Sequence, residues 1–198
     1  MADKPTPKMC SYIQRRSPMF NRTFAATAAV IFTILFTMAS VAQSGEYQHV
    51  LTVEKMTFAW STEKGQLAVQ LSAPTTGWVA VGFNPTNKMK DANIIIGYVK
   101  KGKVKILDEF GTATTQHKSD KKVGGTENVT VVGGSEENGS TTIEFSIPLD
   151  SGDAKDGVID VNADTIVILG YGVARDSFKM KHKFRTTIVV NLGTGEKK

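Results

Sequence analysis

The residue types that carry chemistry are few in this chain, and their positions narrow what it can do. Among 198 residues there are three histidines, His49, His117 and His182, and one cysteine, Cys10. Nucleophilic triads and thiolate metal sites need more material than that. There is no phosphate-binding loop, no zinc-ligand spacing, no G-x-S-x-G elbow and no C-x-x-C-H for covalent haem. The residues therefore argue against an enzyme. Two placements stand out. Met89 lies between Lys88 and Lys90 in a polar stretch with no core to fill, which favours a use for its thioether. His182 lies among Lys179, Lys181 and Lys183, where a solvated imidazole and a ligand are both open readings. His49 and His117 read as surface residues. The run Asp150–Gly157 is acidic and punctuated by glycine, but Ala154 at its fifth position and the lack of glycine at its sixth break the EF-hand order. It reads as a solvated turn. Asn128-Val129-Thr130 and Asn138-Gly139-Ser140 are glycosylation acceptors only in a host that glycosylates.

The net charge of +5 does not mark an acidic partner. Lys4, Lys8, Arg15, Arg16 and Arg22 against Asp3 give residues 1–42 a net of +4, leaving +1 for residues 43–198. Charges of both signs are interspersed there, so no nucleic-acid footprint is expected. The basic stretch precedes an uncharged run, Thr23 to Ala42, that ends in Ser40 and Ala42 at the spacing signal peptidase needs. Residues 1–42 are expected to be a cleaved signal peptide. The rival is an uncleaved anchor, since the run approaches the roughly 20 residues that span a bilayer; only then would a membrane tether remain. A twin-arginine signal is a weaker fit, because Ser17-Pro18-Met19 continues Arg15-Arg16 poorly. Cys10 precedes the apolar run, so the exported part, residues 43–198, has no cysteine and no disulfide. The expected location is periplasmic or extracellular.

The exported part reads as strand, turn, strand. Gln66–Leu71, Lys103–Ile106 and Thr142–Ile147 alternate apolar and polar residues, as half-buried antiparallel strands do. Trp78–Phe83, Ile94–Ile96, Ile166–Leu169 and Ile188–Val190 are short apolar runs rich in β-branched residues, suited to central strands covered on both sides. Trp78 and Phe83 read as core anchors. Turn signals such as Glu63-Lys64-Gly65, Lys100-Lys101-Gly102 and Asn138-Gly139 separate them. The longest loop is expected over Gly111–Gly125. The pattern predicts one all-β domain, an immunoglobulin-like antiparallel β-sandwich of about nine to eleven strands.

Three stretches stand in a characteristic order: Gly77–Phe83 followed by Met89–Gly97, then Leu107-Asp108-Glu109-Phe110, and finally Gly170-Tyr171-Gly172 leading to Asp176, His182 and Val190-Asn191-Leu192. Together they resemble the DOMON family, β-sandwich domains found in relatives of dopamine β-monooxygenase and in the cytochrome domain of cellobiose dehydrogenase. The resemblance spans roughly residues 47–192. In haem-binding members one Met and one His hold a non-covalent haem b, which implies Met89 and His182 as the axial iron ligands. Met180 or a nearby lysine could replace either. Met/His ligation closes both axial positions and raises the potential, so the resemblance implies electron transfer with a redox partner protein rather than catalysis. Lys179, Lys181, Lys183 and Arg185 would then face haem propionates or an acidic partner. The copper domains of dopamine β-monooxygenase relatives have no counterpart here. Two departures flank the candidate ligands: Asp91-Ala92-Asn93 stands where Gly-Ala-Asp is commoner, and Lys183-Phe184-Arg185-Thr186 follows His182. They motivate the alternative, a haem-free DOMON module that binds a small ligand such as a sugar, or a protein partner.

Overall fold

The computed structural model describes residues 47–198; the leader assigned to residues 1–42, and Cys10 within it, lie outside them. Eleven strands follow in order: β1 (His49–Val53), β2 (Met56–Glu63), β3 (Gln66–Ala73), β4 (Val79–Phe83), β5 (Asn93–Lys100), β6 (Lys103–Ala113), β7 (Gln116–Ser119), β8 (Thr130–Glu137), β9 (Ser140–Pro148), β10 (Asp164–Gly172) and β11 (His182–Asn191). A single turn of 3-10 helix, Asp120–Val123, follows β7. The strands form two antiparallel sheets, ordered β1-β2-β3-β9-β8 and β11-β10-β4-β5-β6-β7.

Hairpin chemistry sets the register. Glu63 pairs with Gln66, Lys100 with Lys103 and Glu137 with Ser140. Each pair brackets a two-residue loop whose residues both have positive φ: Lys64 and Gly65, Lys101 and Gly102, Asn138 and Gly139. Type I′ turns demand this geometry, and their twist matches that of the strands they join. Register then sends alternate residues to opposite faces. In β3, Leu67, Val69 and Leu71 are fully buried, and in β9 so are Ile143, Phe145 and Ile147. They pack against Val79, Val81 and Phe83 of β4, Ile95 of β5, and Val167 and Leu169 of β10 in one inter-sheet core.

Trp60 of β2 is fully buried there, and its Nε1–H donates to the carbonyl of Leu192 at 2.8 Å. That bond ties the chain's last core residue to the second strand. Trp60→Phe strands a buried carbonyl and opens a small void. The expected cost is about 2 kcal/mol, read as a lower urea midpoint at unchanged m-value. A loss under about 0.5 kcal/mol, the scale of a neutral surface change, would contradict this role.

Two expectations from the sequence need correcting. Ile188–Val190 does not lie in a central strand, because β11 is the outer edge of the six-stranded sheet. Ile188 and Val190 are buried, but most of the strand is half or fully exposed. Nor is Gly111–Gly125 a loop. β6 continues through Ala113 and turns back as β7, whose polar residues suit an edge strand.

Candidate functional site

The outer face of the six-stranded sheet, turned away from the core, carries a second apolar surface. Alternation places Ala80 and Gly82 of β4, Ile94 and Ile96 of β5, and Ile168 and Gly170 of β10 on that side. These residues line a cavity of about 740 Å³, within the range of cofactor and small-molecule sites. Glycine matters at its floor. A Cβ on Gly82 would come within 2.8 Å of Ile168 and 3.1 Å of Ile94, so only a bare backbone lets those two side chains close over β4.

Three segments wall the cavity. The β4–β5 loop supplies Lys88 and Met89. Hydrogen bonds hold this loop: Thr86 N–H donates to the Lys90 carbonyl at 2.9 Å, Ala92 N–H to the Met89 carbonyl at 3.2 Å, and Asp91 N–H to the Gly111 carbonyl at 2.7 Å. The Thr86 hydroxyl donates to the Asp91 carboxylate at 2.5 Å. Lys88 and Asp91 adopt left-handed backbone, φ 56° and 64°. The tight path depends on Gly111 of β6, where a Cβ would sit 1.6 Å from the Met89 carbonyl oxygen.

The second wall is the β10–β11 connection, which brings Phe178, Met180 and then His182 at the start of β11. Trp78 anchors it. Its Nε1–H donates to the Met180 carbonyl at 3.0 Å, and Gly172 N–H donates to the Trp78 carbonyl at 2.8 Å. Phe178 packs on Tyr98 with ring centroids 4.6 Å apart. Trp78 is thus no anchor of the inter-sheet core but part of an apolar cluster with Ile96 and Tyr98 on the outer face. Phe83 does lie in the core, as expected.

Met89 and His182, which lie on separate loops, line this one cavity. Met89 is half-buried and His182 exposed. Neither fills the core, so neither placement is explained by packing. His117, read from the sequence as a surface residue, lines the cavity as well. It is half-buried, and its Nδ1 pairs with the Glu109 carboxylate. Glu109 is only 8% exposed. A buried carboxylate needs a partner, and β7, which with the turn before it is the third wall of the cavity, supplies it. His49, by contrast, lies elsewhere, against Trp60 and the Gly193 carbonyl.

The wall also carries Lys88, Lys179, Lys181 and Arg185, and no carboxylate lines the cavity among the described residues. The site therefore combines an apolar floor, two thioethers, two imidazoles and a cationic rim. Such a set suits a large apolar ligand bearing anionic groups, with thioether and imidazole available to a soft or borderline metal. No ligand set for a hard cation or a nucleophile is assembled there.

Comparison with known proteins agrees with the architecture. The DOMON domain model matches residues 52–172, a stretch that includes Met89 and stops short of His182. Human DBH-like monooxygenase protein 1 is 36% identical over 66 residues, 33% of this chain and 11% of that protein. Its mouse counterpart is 28% identical over 130 residues, 64% of this chain and 21% of that protein. The chain thus spans about a fifth or less of these curated relatives. Among solved structures, the cytochrome b domain of pyranose dehydrogenase from Coprinopsis cinerea superposes with a TM-score of 0.55 at 12% identity, covering 71% of this chain and 78% of that one. The cytochrome domain of cellobiose dehydrogenase from Myriococcum thermophilum gives 0.54 at 11% identity, covering 74% and 82%. At such identities the likeness is one of fold. With a family model matching well over half its length, and the eleven-stranded sandwich that goes with it, this chain belongs to the DOMON domain family.

Proposed function

We propose that the protein is an exported b-type haem module for single-electron transfer, with Met89 and His182 as the axial ligands. The observation that carries this reading is the convergence of Met89 and His182, far apart in sequence, on one apolar cavity. Bound there, haem b would supply a ferric/ferrous couple whose potential Met/His ligation raises. The chain's own contribution is a water-poor floor of Ile94, Ile96 and Ile168, and cations at the rim for two propionates. Lys179, Lys181 and Arg185 suit that second role. The same cations would draw an acidic redox partner to the exposed edge of the cavity. The likeness to cytochrome domains supports this reading through the fold. Nothing in it requires catalysis, since Met89 and His182 together would hold the iron and leave no open position for a substrate. Export follows from the leader expected over residues 1–42.

The test is an absorption spectrum of the protein exported from a haem-sufficient host, before and after dithionite. A sharp reduced α-band with a six-coordinate low-spin pattern is expected. A colourless protein that also fails to take up added haemin would sink the haem reading and favour the haem-free alternative, a small-ligand or protein-binding module using the same cavity.

A further inference from the structure

The acidic turn that reads as solvated in the sequence does not behave as one. Asp156 is 8% exposed, and it meets Asp108 of β6 and Asp120 of the 3-10 turn, each 1% exposed. Carboxylate oxygens of all three lie within 4.8 Å of one another. Three separate segments have therefore delivered three buried carboxylates to one point. Asp108 falls on the same side of β6 as Val104 and Ile106, which pack on the core. Glu109, its neighbour, faces the opposite way towards His117. The cluster is thus distinct from the cavity.

Charge balance is missing at this point. Among the described residues none of the three aspartates has a Lys, Arg or His partner. Some of their oxygens are satisfied: Asn128 N–H donates to Asp108 at 2.8 Å and the Ser151 hydroxyl to Asp156 at 2.5 Å. Others are not. Both carboxylate oxygens of Asp120, and one each of Asp108 and Asp156, are buried without any hydrogen-bond partner. Buried polar atoms nearly always have a partner; a proton shared between Asp120 and Asp156 supplies one only while one of the two is protonated, and the ionised cluster, with Asp120 at 1% exposure, calls for one that is not protein. The Asn128 side-chain N–H donates to Asp156 Oδ2 at 3.2 Å, which leaves the orphaned oxygens as they are.

We propose that Asp108, Asp120 and Asp156 form a calcium site that joins β6, the 3-10 turn and the β9–β10 loop. All-oxygen, carboxylate-rich donors select a hard cation. Oxygens held at about 2.3–2.6 Å from one calcium ion lie up to about 5 Å apart, while magnesium draws its ligands in to about 2.0–2.1 Å. Oxygens within 4.8 Å of one another fit inside a calcium-sized shell. Irregular segments also suit calcium, which accepts uneven geometry where magnesium demands an octahedron. Burial first, then repulsion from neighbouring carboxylates that include Asp153, push Asp108 up to about 6 and Asp120 up to about 7; burial and Asp153 push Asp156 upward as well. The sign follows from linkage. Carboxyls raised above their unfolded value of 3.8 contribute fully only below it, and the contribution is lost as pH rises through 6 to 7. At pH 8 protons cannot stand in for the ion.

The experiment is therefore a thermal melt of the EGTA-stripped protein at pH 8, with calcium or magnesium added, and calorimetry to count ions. One calcium per chain is expected, with a saturable rise in Tm of about 5 °C or more. Asp120→Asn should fold and lose the shift, and Asp160→Asn, on an exposed turn, should keep it. If Asp120→Asn fails to fold, Asp156→Asn carries the same expectation. No rise in the wild-type protein, an equal rise in the Asp120 or Asp156 variant, or a magnesium response as large as calcium's overturns the proposal. Because the readout is stability and stoichiometry, it stands whether or not the protein is coloured.

Discussion

His182→Ala is expected to weaken haem binding at least about 100-fold, since even changes to groups that merely orient a metal ligand cost about 10- to 100-fold. Met89→Ala should instead retain haem but open one axial position, turning a low-spin spectrum into a high-spin one that binds added imidazole or carbon monoxide. The two variants separate ligation from folding cleanly. His182 is exposed and Met89 half-buried in a surface loop, so each truncation should cost no more than about 0.5 kcal/mol of stability. A spectral change with an unchanged urea midpoint thus reports on the site alone. His117 provides the internal control. It lines the same cavity, and with Nδ1 engaged by Glu109 its Nε2 remains free; since the proposal gives the ligand role to His182, His117→Ala should leave the low-spin spectrum in place. A low-spin spectrum that survives His182→Ala and disappears in His117→Ala would move the axial role to His117 and defeat the assignment made here.

Gly111→Ala is the second large effect, and it acts through backbone rather than ligand. An added Cβ would sit 1.6 Å from the Met89 carbonyl oxygen and 2.7 Å from its carbon. Neither atom is the free end of a flexible side chain, so the loop or the strand must move. Movement also strains two bonds, Asp91 N–H to the Gly111 carbonyl and Gly111 N–H to the Ala92 carbonyl at 2.9 Å. Overpacking and two weakened hydrogen bonds together suggest a loss of about 3 kcal/mol. The loop carrying Met89 would be displaced with it, so a haem-loaded variant should show a mixed-spin spectrum while His182 is intact. Gly133→Ala is the matched comparison: it lies in β8, where the nearest foreign atom to a new Cβ is the Glu144 carboxylate at 3.6 Å, and its cost should stay under about 0.5 kcal/mol. Equal stabilities for the two variants would show that Met89 is held by something other than this close approach.

Strands that bury one face were legible from alternation. Gln66–Leu71 and Thr142–Ile147 lie within β3 and β9 with the expected residues inward, and the glycine-marked hairpins fell where the turn signals put them. Apolar runs were less informative. Ile188–Val190 reads like Ile94–Ile96, yet β5 is central and β11 an edge, because strand order depends on long-range pairing that a local run does not encode. The Gly111–Gly125 segment failed for the opposite reason. Its polar residues look like loop, but backbone pairing with β6 is indifferent to them. The candidate ligands came from family resemblance, and the structure adds that both reach one cavity. Asp108, Asp120 and Asp156 were invisible as a group, since nothing local marks carboxylates that meet only when three segments converge.

Both sheets are closed by pairings between distant parts of the chain: Gln66 lies opposite Pro148 across β3 and β9, and Phe83 opposite Val167 across β4 and β10. Local hairpins form on the microsecond scale, while topologies dominated by such remote pairings assemble in milliseconds to seconds. The cavity floor is itself made by β4, β5 and β10, so its last strand arrives with the slow step. A chain still unfolded has no binding surface to offer. Whatever occupies the cavity must therefore meet the polypeptide after it has folded, which makes loading of the occupant a step separate from synthesis of the protein.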